Sequence, residues 1–199
     1  MYDIDDLKNL VDMAAGGRSP ADLLITNAKL VDVLTGEIRE TDVSVGGGKI
    51  LGFSHTEAVK VVDAQGAYLL PGLIDAHIHI ESSMVSPARF AGLVLPHGTT
   101  SVVADPHEIA NVHGLEGIRY MLENGRHLPL NIFISLPSCV PATPFEDSGA
   151  ILSAEELEEL IDDPKVTGIG EMMNFPGVVS GDYDVLAIIT LGSSHGKIV

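Results

Sequence analysis

Hydrophobic and polar positions change rhythm along the chain. Near the start, Leu7, Leu10, Val11 and Ala14 recur at helical spacing beside Asp6, a weak amphipathic helix that Gly16-Gly17 would stop. From residue 21 to 70 the rhythm shortens. Residues 23–25, 29–34, 42–45, 49–53 and 59–62 are strand-like runs separated by Gly, Asn, Asp or Thr, with turns at Thr35-Gly36 and Gly46-Gly47-Gly48. The pattern predicts a helix over 1–20 and a small β-rich unit over 21–70.

After residue 70 apolar strands alternate with helical stretches, the pattern of parallel β/α construction. The predicted strands lie just before and through His77-Ile78-His79, and at 100–104, 131–136 and 166–169. The predicted helices lie at 87–97, 112–124, 153–161 and 184–194, and residues 197–199 open like a further strand. The run 131–136 is continuously apolar, as buried parallel strands are. Ser153 stands at the cap of its helix with Glu156 at the capping-box position. Residues 71–199 therefore hold four β/α units and the start of another. A closed eight-stranded barrel takes about 250 residues, so this is half a barrel or a complete open doubly wound sheet.

Three groups of residues carry candidate chemistry. His77 and His79 are two apart on a strand and face the same side, so both imidazoles can reach one transition metal; a pair of satisfied core histidines is the plainer alternative. Asp105-Pro106-His107-Glu108 directly follows the strand 100–104, at the carboxyl end where β/α folds build active sites. These residues can ligate metal, move protons or bind a polar ring. Alternatively Asp105 is an N-cap, Pro106 opens the helix and Glu108 completes a capping box. Glu171, in Gly168-Ile169-Gly170-Glu171, ends the fourth strand and can bridge two metal ions, or be a solvated loop acid. His97 suits a helix C-terminus, and His55, His113, His127 and His195 need no function. Cys139 is expected to be packed, and no phosphate-binding glycine loop is present.

Composition narrows the classes. The 199 residues are 45% hydrophobic and 20% charged, which excludes a disordered tail, a fibre or a coiled coil. Eleven basic against 28 acidic residues give a net charge of −17, which repels phosphate backbones, attracts divalent cations and favours solubility. One cysteine, no apolar run long enough to span a bilayer and no signal-peptide pattern lead to the expectation of a cytoplasmic protein that binds neither nucleic acid nor membrane.

The segment Pro71-Gly72-Leu73-Ile74-Asp75-Ala76-His77-Ile78-His79 resembles the first-strand motif of the metal-dependent amidohydrolases. Its continuation Ile80-Glu81-Ser82-Ser83 resembles, more narrowly, the bacterial adenine deaminase family. Residues 104–112 (Ala-Asp-Pro-His-Glu-Ile-Ala-Asn-Val) and 170–178 (Gly-Glu-Met-Met-Asn-Phe-Pro-Gly-Val) are similar to that family's second and third signatures, and the likeness covers nearly the whole chain.

This resemblance implies an α/β fold: the first half of an amidohydrolase TIM (β/α)8 barrel over 71–199, preceded by part of a small β-sandwich domain built from both chain ends. It implies a binuclear divalent metal centre of manganese or iron, with His77 and His79 on one metal and Glu171 as the bridging carboxylate. Glu171 and Asp105 would be catalytic, and His107 and Glu108 would bind substrate or shuttle protons. The implied reaction is hydrolytic deamination of adenine to hypoxanthine and ammonia by a metal-activated hydroxide attacking C6, in purine salvage. A homo-oligomer is expected at full length. The family continues past the position of Val199 with a fifth strand bringing a further metal-binding histidine, and with later ligands and an aspartate base. The isolated chain is therefore expected to be an incomplete, inactive enzyme. Two other readings stand beside this one: an amidohydrolase of a cyclic amide or another aminopurine, and a non-catalytic metal- or purine-binding module.

Overall fold

The structure, a computed structural model, describes residues 3–15, 18–54 and 56–199. The expected stop at Gly16-Gly17 and the expected exposure of His55 lie outside them. The chain forms two compact units, Met1–Pro71 and Gly72–Val199.

In the first unit, helix α1 (Ile4–Ala14) is capped by Asp3, whose side chain accepts the Asp5 N–H. The strands are β1 (Ala21–Val31), β2 (Ile38–Gly46), β3 (Lys49–Gly52), β4 (Ala58–Asp63) and β5 (Tyr68–Leu69). They form one sheet in the order β3-β2-β1-β4, with β5 also on β1. β2 runs antiparallel to β1, whereas β4 and β5 run parallel to it. The runs 23–25 and 29–34, read as two strands, belong to a single strand β1 ending at Val31. The register shifts between Ile25 and Ala28, where Asn27 adopts φ 54°. Asparagine tolerates that conformation, and here its N–H donates to Asp42 Oδ1 at 3.1 Å and its Nδ2 to Asp63 Oδ1 at 2.9 Å. The residue that looked like a strand break is a bulge inside one strand.

In the second unit, β6 (Leu73–Ile78), β7 (Thr99–Ala104), β8 (Asn131–Leu136) and β9 (Val166–Ile169) form a parallel sheet in sequential order. They alternate with α2 (Pro87–Val94), α3 (His107–Gly125), α4 (Ala154–Ile161), α5 (Phe175–Ser180) and α6 (Tyr183–Ser194). Ile198 adds a parallel bridge to Gly168, the beginning of the next strand position. This is the first half of a (β/α)8 barrel. Val102 and Ala104 of β7 and Ile132, Ile134 and Leu136 of β8 alternate into a core with Ile118, Met121, Leu157, Ile161 and Ile188 from the helices. The opposite face is only half-covered: Phe133 carries the Lys165 ammonium 4.5 Å above its ring. The apolar run of β8 thus serves two faces, of which the helices cover one.

Three helical expectations change. α2 stops at Val94, and Leu95–His97 tighten into a 3-10 turn ended by Gly98 at φ 94°. α3 begins at His107 rather than 112, with a kink at Gly114 (φ 59°, ψ −143°). α5 was not anticipated; Asn174 caps it, accepting the Gly177 N–H at 3.1 Å. The capping box of α4 forms as expected, Ser153 N–H donating to Glu156 Oε2 at 2.9 Å.

Candidate metal centre

The candidate residues meet at the carboxyl ends of the sheet in the second unit. His77 lies in the last turn of the pleat of β6 and His79 just beyond it, so period-two alternation sends both rings to one side. Their Nε2 atoms approach to 3.1 Å, while Ile78 between them packs against the core. Glu171, two residues past β9, brings Oε1 to 3.3 Å from His79 Nε2 and 3.7 Å from His77 Nε2. Three donor atoms from opposite edges of the four-stranded sheet thus share one small volume.

The tautomer of His79 follows from its other nitrogen. Nδ1 lies 2.9 Å from the Asp105 carbonyl, which can only accept, so Nδ1 carries the proton and neutral His79 presents a bare Nε2. A ring fixed in this way through its far nitrogen is the usual arrangement of a metal-ligating histidine. Burial disfavours a cation on His79, but the Asp105 carbonyl and the charges of Glu108, Asp105 and Glu171 outweigh it and raise its pKa.

Behind this trio lies a buried acidic layer. Asp105 is 1% exposed. Its Oδ2 accepts the Glu171 N–H at 3.2 Å, and its Oδ1 faces His107 Nδ1 at 3.5 Å. Burial raises the Asp105 pKa, while His107 and the Glu171 amide work in the other direction. Glu108 Oε1 accepts the Ser82 hydroxyl at 2.6 Å, and Oε2 stands 3.6 Å from His79 Nδ1. The capping alternative for this segment fails. Pro106, not Asp105, occupies the N-cap of α3 without a side-chain cap, and Glu108 turns to Ser82 and His79.

Among the described residues, Glu81 Oε2, Asp105 Oδ1, His107 Nδ1 and Glu108 Oε2 are buried and make no hydrogen bond. Four such atoms in one patch are unusual, and they line the same region as the histidine pair. Two bare imidazole nitrogens at 3.1 Å also repel unless a cation lies between them. The donor set, imidazole and carboxylate, suits a divalent transition metal. His79, His107 and Glu108 form a second converging group, and Asp105, His107 and Glu171 a third. The residues present fit one or two divalent ions.

Two participants escaped the sequence reading. Glu81 accepts the Ile109 N–H at 3.3 Å, and burial, followed by the neighbouring Glu108 charge, raises its pKa. Its only signal was its place in the motif after His79. Ser138, 1% exposed, donates its hydroxyl to the Glu171 carbonyl. Cys139 is packed as expected, its Sγ accepting the Asn174 N–H at 3.2 Å. His97 ends a 3-10 turn and His195 caps α6, both away from this cluster. No helix among the described residues is long and apolar enough to cross a membrane.

Known proteins resemble this chain in sequence and in fold. An adenine deaminase of Nitratidesulfovibrio vulgaris (strain DP4) is 61% identical over 193 residues, covering 97% of this chain and 33% of that protein. Adenine deaminase 2 of Carboxydothermus hydrogenoformans is 50% identical over the same share of each. The chain spans about a third of the length of the curated relatives it matches. The N-acyl-D-glutamate deacylase of Bordetella bronchiseptica, solved with zinc and a phosphonate inhibitor, shares the fold at a TM-score of 0.63 and 16% identity, over 90% of this chain and 44% of that one. The profile of the amidohydrolase family matches residues 68–199. With its sequential parallel sheet and the histidine pair at the end of the first barrel strand, the chain belongs to the amidohydrolase family.

Proposed function

We propose that this chain supplies the first-strand to fourth-strand part of an adenine deaminase active site, converting adenine and water to hypoxanthine and ammonia. The observation that carries the reading is the convergence of His77 Nε2, His79 Nε2 and Glu171 Oε1 within 3.1–3.7 Å at the carboxyl ends of β6 and β9. The relatives named adenine deaminase, up to 61% identical across 97% of the chain, supply the substrate.

His77, His79 and Glu171 would hold a divalent metal, manganese or iron, with Glu171 shared where a second ion lies toward Asp105 and His107. Such a metal lowers the pKa of a bound water towards neutrality and so provides the nucleophile for C6. The protein's own groups do the rest. The Asp105 carbonyl holds His79 in the tautomer that leaves Nε2 free. Glu171, whose carboxylate is half-exposed, accepts a proton from the attacking water and returns it to a ring nitrogen. Asp105, whose Oδ1 faces His107 Nδ1, exchanges a proton with that ring and serves departure of the amine as ammonia. Glu108, fixed by Ser82, stands beside His79 and His107 where the substrate edge enters.

The relatives are three times as long, and in this proposal the remaining length completes the site. The test is ammonia release from adenine by the chain continued to its relatives' length, with the 199-residue chain in parallel. Turnover is expected only in the longer protein and should fall at least a hundredfold in His77→Ala, the scale of losing a metal-supplied nucleophile. Turnover of a cyclic amide with none of adenine would overturn the substrate assignment.

A further inference from the structure

The Glu171 carboxylate has little to hold it by itself. Its Oε1 meets only the two histidines, at 3.3 and 3.7 Å, and its side chain is 46% exposed. The sheet does not hold it either. The β8–β9 pairing ends at Leu136 and Ile169, and the last ladder bond runs from the Gly170 N–H to the Leu136 carbonyl at 2.7 Å. Beyond that point two buried side chains take over, one on each face of the residue's backbone. The Glu171 N–H donates to Asp105 Oδ2 at 3.2 Å, and the Glu171 carbonyl accepts the Ser138 hydroxyl. Ser138 follows β8 and Asp105 follows β7, so the two preceding strands grip the residue after the fourth. Asn174 N–H to Cys139 Sγ at 3.2 Å, and Cys139 Sγ to Met172 Sδ at 3.6 Å, close the same seam.

We propose that Ser138 is a positioning residue for the metal site: its buried hydroxyl fixes the Glu171 backbone, and thereby aims the Glu171 carboxylate at His77 and His79. The inference rests on the reading of Glu171 as a metal ligand. Ser138 itself touches neither histidine. Its whole effect passes through the orientation of one peptide group. A serine with no room to turn suits this task, because its single donor has one acceptor in reach and almost no solvent to compete with it.

The experiment is a double-mutant cycle on Co2+ affinity in the 199-residue chain, read from the visible d–d absorption of the bound ion, with circular dichroism to confirm folding. Ser138→Ala should weaken Co2+ binding about 10- to 100-fold, the usual effect of removing an outer support of a ligand. Ser138→Thr, which keeps the hydroxyl, should retain affinity near that of the parent. Ser138→Ala on top of Glu171→Ala should add nothing, since no carboxylate remains to be aimed. Should Ser138→Ala not fold, Ser138→Cys, of similar volume but a weak donor, takes its place in the cycle. If Glu171→Ala weakens binding and Ser138→Ala does not, the positioning role is overturned and the ligand reading stands. An equal loss from Ser138→Ala with and without Glu171 shows general loosening and also overturns it. If Glu171→Ala leaves Co2+ binding unchanged, or the parent chain takes up no Co2+, the ligand reading falls and the positioning role falls with it.

Discussion

Gly170→Ala is the substitution whose consequence follows most directly from the geometry. A Cβ at this position would lie 2.7 Å from Asp105 Cγ and closer still to Oδ2. Asp105 is buried and cannot swing into solvent. Either the carboxylate or the strand must move, and the bond from the Glu171 N–H to Oδ2 is lost. Losing a hydrogen bond to a charged, buried acceptor costs about 1.5–3 kcal/mol. Residual overlap in a packed site adds about 1–3 kcal/mol. The alanine returns about 0.4–1 kcal/mol by narrowing the unfolded ensemble. The net expectation is roughly 3 kcal/mol of destabilisation, a fall in Tm of roughly 6–12 °C for the unit that carries it. Thermal unfolding by calorimetry measures the fall, and metal titration of the folded variant should show weakened binding, because Asp105 and Glu171 no longer share that bond. A Gly170→Ala variant with Tm and metal affinity unchanged would refute the argument that this glycine exists to admit the Asp105 carboxylate.

Other expectations follow from the same structure. Ile134→Ala, at a position with no exposed surface in the middle of β8, should cost about 2–5 kcal/mol in urea unfolding. Ser153→Ala removes both halves of the α4 capping box and should cost about 0.5–2 kcal/mol in the same assay. In the first unit, the Asn27 side-chain amide, followed by the Gln65 N–H, holds Asp63 below the usual carboxylate pKa. A lowered folded pKa gives stability that is present above the unfolded value and lost as pH falls through the folded one. Stability of this unit should therefore decline on acidification below about pH 4, and Asp63→Asn should flatten that decline. An unchanged acid limb in the variant would remove Asp63 from the account.

Local chemistry was legible in the sequence where it depends on residues close together. His77 and His79 were readable as a same-face pair because strand alternation acts over two residues, and their Nε2 atoms do meet. The α4 capping box was readable because it spans three. The parallel strands stood out as apolar runs, although the half-covered face of β8 did not, since apolarity alone does not say how many faces are packed. Misreadings arose where one residue has two physical uses. Asn27 separates strands in many sequences, but here its left-handed backbone makes a bulge that keeps β1 continuous. Asp105 before Pro106 and Glu108 has the pattern of a helix cap, yet the carboxylate is drawn inward by an amide 66 residues away. The contact from Ser138 to Glu171 spans 33 residues and leaves no local pattern at all. Such contacts are set by strand order and register, which only the folded sheet supplies.

The central claim is that His77, His79 and Glu171 form the metal-holding end of the site. The most direct test is anomalous X-ray diffraction from crystals of this chain grown with Mn2+. The account predicts an anomalous peak in contact with His77 Nε2, His79 Nε2 and a Glu171 carboxylate oxygen. No peak there, with the two Nε2 atoms still 3.1 Å apart, would contradict it.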